Sequence, residues 1–263
     1  DETTESSDSA IAHYNGTAWK YFAATQSFPF LMYLDASNTD SYPPPQTGST
    51  WFDLTSNAND ATRSGPTWNS DYFQFDGVND KFILTGKPDF PTSTTQTNNV
   101  KSIAAWIKPD TTSANMYIFS VSSTTQTKDY FTFDMVQSIW SGTPDLRVRV
   151  QNGGSGNRLD ALVNITATNA WTHVVAQLGA NGVEMYLNGV SQTVNFTTTG
   201  NATNSYWIAN INYDTSVATL IGQYRQTTSG SNSSNSDGQM SKIQVYDTAL
   251  TQTEITALHN EGR

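Results

Sequence analysis

The chain has 263 residues, 36% of them hydrophobic and 12% aromatic, a net charge of -10 and no cysteine. That length and aromatic content support a sizeable packed core and argue against disorder. The 13 Lys and Arg residues form no basic run, so a phosphate backbone or an anionic membrane finds no electrostatic handle, and the absence of cysteine removes disulfides, thiolate metal sites and thiol nucleophiles together.

Residues 1–10, "DETTESSDSA", read as a flexible acidic arm, and no signal peptide is legible there. The stretch "AHYNGTAWKYFAATQSF" follows, with Tyr14, Trp19, Tyr21 and Phe22 around an Asn-Gly turn. It reads as a short hairpin or strap, so residues 1–25 are set apart from a main domain over 26–263. "SYPPPQTGSTW" is a loop, because its prolines cannot donate to a sheet ladder. From Lys101 period-two alternation takes over. "SIAAWIKP" sets Ile103, Ala105 and Ile107 on one face, and "DYFTFDM" does the same with Phe131, Phe133 and Met135. "DLRVRV" buries Leu146, Val148 and Val150 and turns Arg147 and Arg149 outward. "GVEMYL" buries Val183, Met185 and Leu187 between the pairs Asn181-Gly182 and Asn188-Gly189, which supply the positive φ of tight hairpins. "SKIQVYD" is a late strand. One helix closes the chain in "LTQTEITALHNEG": Thr251 and Glu254 form a capping box, Leu250 and Ile255 a hydrophobic staple, and Gly262 a stop. No apolar run approaches the ~18 residues of a membrane span.

The ordered set "FDGVNDKF" (75–82), "SIAAWIKP" (102–109), "WTHVVAQLGANGVEMYLNGV" (171–190), "LIGQY" (220–224) and "GQMSKIQVYDTALTQTEITALHNEG" (238–262) resembles the laminin-G-like jelly-roll domain of the concanavalin-A-like lectin and glucanase superfamily, from about Phe30 onward. The lead-in "LMYLDASNTDSYPPPQTGSTWFDLTSNANDAT" is similar to variants carried by phage and large-virus structural proteins and by some secreted bacterial proteins. The resemblance implies an all-β fold: a two-sheet antiparallel jelly-roll sandwich with one concave sheet and one short C-terminal helix outside it. Trp106 and Trp171 become large buried or half-buried anchors and His173 a hydrogen-bonded structural histidine.

Catalytic chemistry has little to draw on. The chain has only five Glu, at 2, 5, 184, 254 and 261, and no pair shares a strand face as the glutamates of this superfamily's hydrolases do. The three histidines are scattered, without triad or metal spacing. A non-catalytic carbohydrate-binding or adhesion module on an extracellular or virion surface fits better, whether a lectin or a decoration or tail component. The alternative is a secreted polysaccharide hydrolase or lyase, and for the lyase Arg147, Arg149 and several tyrosines would be the raw material. Sugar binding calls for aromatic faces flanked by amides and charges. "NSYWIANINYD" (204–214) offers Tyr206, Trp207, Asn210, Asn212, Tyr213 and Asp214, and Tyr224 and Arg225 offer a second set. The superfamily often carries structural calcium, and Asp76, Asn79, Asp80 and Asp237 are the oxygen donors such an ion would use. The expected partners are a glycan or polysaccharide and, through self-association, neighbouring subunits. Nucleic acid and membrane insertion are excluded. Five Asn-x-Ser/Thr sequons, at Asn15, Asn164, Asn195, Asn201 and Asn232, are about what chance gives.

Overall fold

A computed structural model describes residues 12–14, 19–21, 30–84, 90, 100–111, 114–124, 129–136, 144–153, 156–165, 169–211, 217–225 and 233–263. Two antiparallel sheets form the sandwich. In the nine-stranded sheet the order from one edge is Asn195–Thr199, Asn157–Asn164, Asp145–Asn152, Asp129–Val136, Met116–Ser123, Val217–Ile221, Lys81–Ile83, Ala61–Ser64 and Thr50–Trp51. In the eight-stranded sheet it is Val190–Ser191, Gly182–Leu187, Thr172–Gly179, Ser102–Pro109, Asp237–Tyr246, Tyr72–Asp76 and Thr67–Asn69, and Phe30–Asp35 also pairs with Asp237–Tyr246. The jelly-roll expectation holds. The arm's expected hairpin forms as well, with Ala12–Tyr14 antiparallel to Trp19–Tyr21.

The alternation does what period two requires. Phe131, Phe133, Met135, Leu146, Val148 and Val150 from one sheet meet Ile103, Ala105, Ile107, Val174 and Ala176 from the other in a single buried cluster. Asn188 and Gly189 both take positive φ, 49° and 78°, as the tight hairpin needs; in the preceding pair only Gly182 does.

The outer face of the eight-stranded sheet is closed by the helix Gln252–Glu261. Its capping box is formed, and Leu250, Ile255 and Leu258 pack on Ala104, Val175, Tyr186 and Tyr246. Buried Gln177 clamps the lead-in, accepting from the Leu250 N–H at 2.8 Å and donating to its carbonyl at 3.1 Å. Trp106 and Trp171 are half-buried there as expected, and the Arg263 guanidinium sits 4.5 Å from the Trp171 ring centroid. His173 departs from expectation. It is buried against Trp106 and His259, with ring centroids 5.3 and 5.9 Å away, and neither ring nitrogen has a hydrogen-bond partner among the described residues.

Candidate functional site

With its counterpart covered by the helix, the outer face of the nine-stranded sheet is where polar side chains collect. Strand register sets them in cross-strand rows. Tyr117 lies opposite Asp134, and Asp134 opposite Arg147. Ser120, Thr132, Arg149 and Asp160 make the next row, and Ser122, Tyr130, Gln151 and Arg158 the third. These are the residues that alternate with the core set, so the period that buries Val148 also points Arg147 and Arg149 outward.

The rows are held by charge. Asp134, with no exposed side-chain surface, accepts two parallel bonds at 2.9 Å from Arg147 Nε and Nη2. Burial works against the Arg147 cation, and the Asp134 carboxylate overrides it, holding the guanidinium above its ordinary value. Asp160 is shared by Arg149 and Arg158. Three guanidinium groups therefore stand on two carboxylates, and the exposed fraction rises outward from 11% at Arg147 to 18% at Arg149 and 38% at Arg158.

A tyrosine wall bounds the rows. Gly222, at φ +85°, turns the chain past Phe75, whose ring would lie 2.1 Å from any Cβ there. The hairpin Gln223–Arg225/Ser233–Asn235 follows, tied down by Ser120 Oγ donating to the Gln223 carbonyl at 2.7 Å. Tyr224 thereby packs between Tyr117 and Tyr130, with centroids 5.8 and 4.6 Å away. The Tyr130 hydroxyl donates to Gln151 Oε1 at 2.9 Å, and the buried Tyr224 hydroxyl lies beside it. Burial pushes the Tyr224 hydroxyl up, with Tyr130 adding to the effect; burial and then Asp134 do the same to Tyr117. Both phenols stay protonated at ordinary pH.

The loop expected to bind sugar is divided by the structure. Trp207 is a core anchor, 1% exposed, donating from Nε1 to the Val100 carbonyl at 2.8 Å with its ring edge-on to Phe131. It offers no face for stacking. Asn210 is exposed, but its Oδ1 accepts the Trp207 N–H at 2.8 Å, and half-buried Tyr206 accepts from Asn157 Nδ2 at 3.2 Å. This segment closes the end of the sandwich. Asn212, Tyr213 and Asp214 lie outside the described residues, as does the Arg225 side chain. Of the expected set, Tyr224 reaches the polar rows, together with Arg147 and Arg149.

The expected calcium donors Asp76, Asn79, Asp80 and Asp237 lie around the turn at 76–80 and the strand that pairs with it. Asp80 Oδ2 accepts the Asp76 N–H at 3.0 Å, and Asp76 Oδ1 accepts the Val78 N–H at 2.8 Å. Asp237 pairs with Asp76 across strands, and its carboxyl is raised by burial and then by Asp110 and Asp76. Among the described residues, no three His, Cys, Asp or Glu side chains are placed to hold a metal ion. The Asp76 and Asp80 side chains serve the backbone of the turn.

A family model of the concanavalin A-like lectin/glucanases superfamily matches residues 76–256. The chain belongs to that superfamily. Solved structures resemble it in fold. Domain 4 of an extracellular GH43 arabinanase from Geobacillus stearothermophilus, in complex with arabinotriose, is 16% identical with a TM-score of 0.50, over 89% of this chain and 100% of that one. The CBM40 of a Ruminococcus gnavus sialidase bound to alpha2,6 sialyllactose is 15% identical, TM-score 0.50, over 72% and 96%. A Trypanosoma rangeli sialidase in complex with sialic acid is 16% identical, TM-score 0.53, over 88% of this chain and 32% of the enzyme. No curated protein matches the chain.

Proposed function

We propose that this superfamily member is a non-catalytic glycan-binding module, displayed outside a cell or on a virion, and that it prefers sugars bearing a carboxylate. The observation that carries the reading is the unequal stoichiometry of the rows: three arginines on two aspartates, most open at Arg149 and Arg158, in a chain of net charge -10. Planar guanidinium groups held by buried carboxylates are preorganised donors for a carboxylate and for vicinal hydroxyls. Gln151 adds an amide whose oxygen is engaged by Tyr130, leaving its NH₂ to donate. The tyrosine wall supplies rigidity rather than a stacking platform, because its rings are packed against one another.

The same rows disfavour turnover. A general acid or base needs a carboxylate free to exchange a proton, and Asp134 and Asp160 are both clamped by arginine. A lyase base needs a tyrosine that ionises at working pH, and burial pushes Tyr117 and Tyr224 the other way. The test is a glycan array with matched neutral, uronate-bearing and sialylated ligands. Binding confined to carboxylated glycans, and lost in Arg158→Gln with unchanged Tm, is the expected result. Equal binding of neutral ligands, or polysaccharide turnover, overturns the proposal.

A further inference from the structure

The nine-stranded sheet ends at Asn195–Thr199, whose far side pairs with no described strand. All five residues are exposed, and their register with Asn157–Asn164 runs uninterrupted from Asn195↔Leu162 to Thr199↔Arg158. Natural edges are normally blunted by charge, proline, bulges or brevity. This one, "NFTTT", has no charge, no proline and no bulge, and it is rich in β-branched and aromatic side chains. The surrounding chain is equally bare: between Glu184 and Asp214 no residue carries a charge. Within that stretch Val190 is 61% exposed and Phe196 36%.

We propose that this edge pairs, antiparallel, with the same edge of a second copy about a two-fold axis through Thr197. Two molecules of net charge -10 repel wherever their charged surfaces meet, and this strand brings no charge of its own to the contact. An isologous contact brings each residue near the axis against its own kind, so any charge there would face a like charge. The strand avoids that. Phe196 of each copy falls opposite Thr198 of the other, and Asn195 opposite Thr199. Backbone N–H and C=O groups on the far side of the edge, which pairs with no described strand, would be satisfied by the same act.

The pairing would join two nine-stranded sheets into one. Thr197 already neighbours Asp160, so the polar rows of both copies would lie on one continuous face. The two Asp145–Asn152 strands would stand five inter-strand spacings apart, about 24 Å. The dimer does not depend on the glycan reading and is tested without a ligand.

The experiment is sedimentation velocity on the full chain made without glycosylation, since Asn195 begins a sequon. The wild type is expected to dimerise, and Thr197→Lys, which sets two ammonium groups across the axis, is expected to weaken dimerisation about tenfold or more with unchanged Tm. Because the chain lacks cysteine, a single Thr197→Cys should give a disulfide-linked dimer on mild oxidation, while Val78→Cys, exposed elsewhere, should not. A wild type still monomeric at about 100 μM, a dimer indifferent to Thr197→Lys, or equal cross-linking of the two cysteine variants overturns the proposal.

Discussion

Acidification should unfold this protein through His173. The imidazole is buried, its nitrogens find no partner among the described residues, and His259 and Lys242 add positive potential to the burial penalty. Burial, first, and those two groups hold its pKa at about 3, against an ordinary 6.5. The folded-state value is depressed, so above pH 6.5 neither the folded nor the unfolded chain binds the proton and nothing is lost. Below 6.5 the unfolded chain takes it up and the folded chain does not, until about pH 3. Stability therefore falls by about 1.4 kcal/mol per pH unit across that window, or about 2 kcal/mol by pH 5. Urea melts of the wild type and of His173→Phe at pH 8, 7, 6, 5 and 4 isolate this contribution, because the carboxylates titrate alike in both proteins. Phenylalanine keeps a ring against Trp106 and cannot be protonated. The wild type should lose about 2 kcal/mol relative to the variant between pH 7.5 and 5. Parallel stability curves would refute the assignment of a neutral, unpartnered His173.

Trp207→Phe removes the Nε1 bond to Val100 and leaves a cavity beside Phe131, so it should cost about 2–4 kcal/mol in urea melts and leave glycan affinity unchanged. Selective loss of binding at unchanged stability would restore Trp207 as a sugar contact. At the Asp76–Asp80 turn, millimolar calcium or EDTA should move Tm by no more than about 1 °C, because the carboxylates already accept backbone N–H groups. A calcium-dependent rise of several degrees in differential scanning calorimetry would contradict that geometry.

Much of the scaffold is legible because local periodicity and turn chemistry are local. The inward Leu146, Val148 and Val150, the outward Arg147 and Arg149, the Asn188-Gly189 turn and the Thr251/Glu254 cap all follow from neighbours within a few residues. The site is less legible because it is assembled by register. Nothing near Tyr117 in the chain says that it lies beside Asp134, or that Asp134 meets Arg147 thirteen residues on. The Met116–Ser123 strand also carries an irregularity between Tyr117 and Phe119, and strict alternation from the inward Phe119 and Val121 would have turned Tyr117 inward. Trp207 misleads for a different reason. An Asn- and Thr-rich loop reads as solvent-exposed, and only the space left at the end of the sandwich draws the indole inward. His173 shows that a core strand can hold a polar ring without a partner, which pattern alone does not reveal.

The helix Gln252–Glu261 gives the molecule a front and a back. It seals the outer face of one sheet, and the arginine rows stand on the outer face of the other. Immobilisation chemistry should respect that asymmetry. A biotin or sensor tether attached at Arg263, beside Trp171, presents the rows to solution, whereas one attached along Asn195–Thr199 sits next to Asp160 and would shadow them.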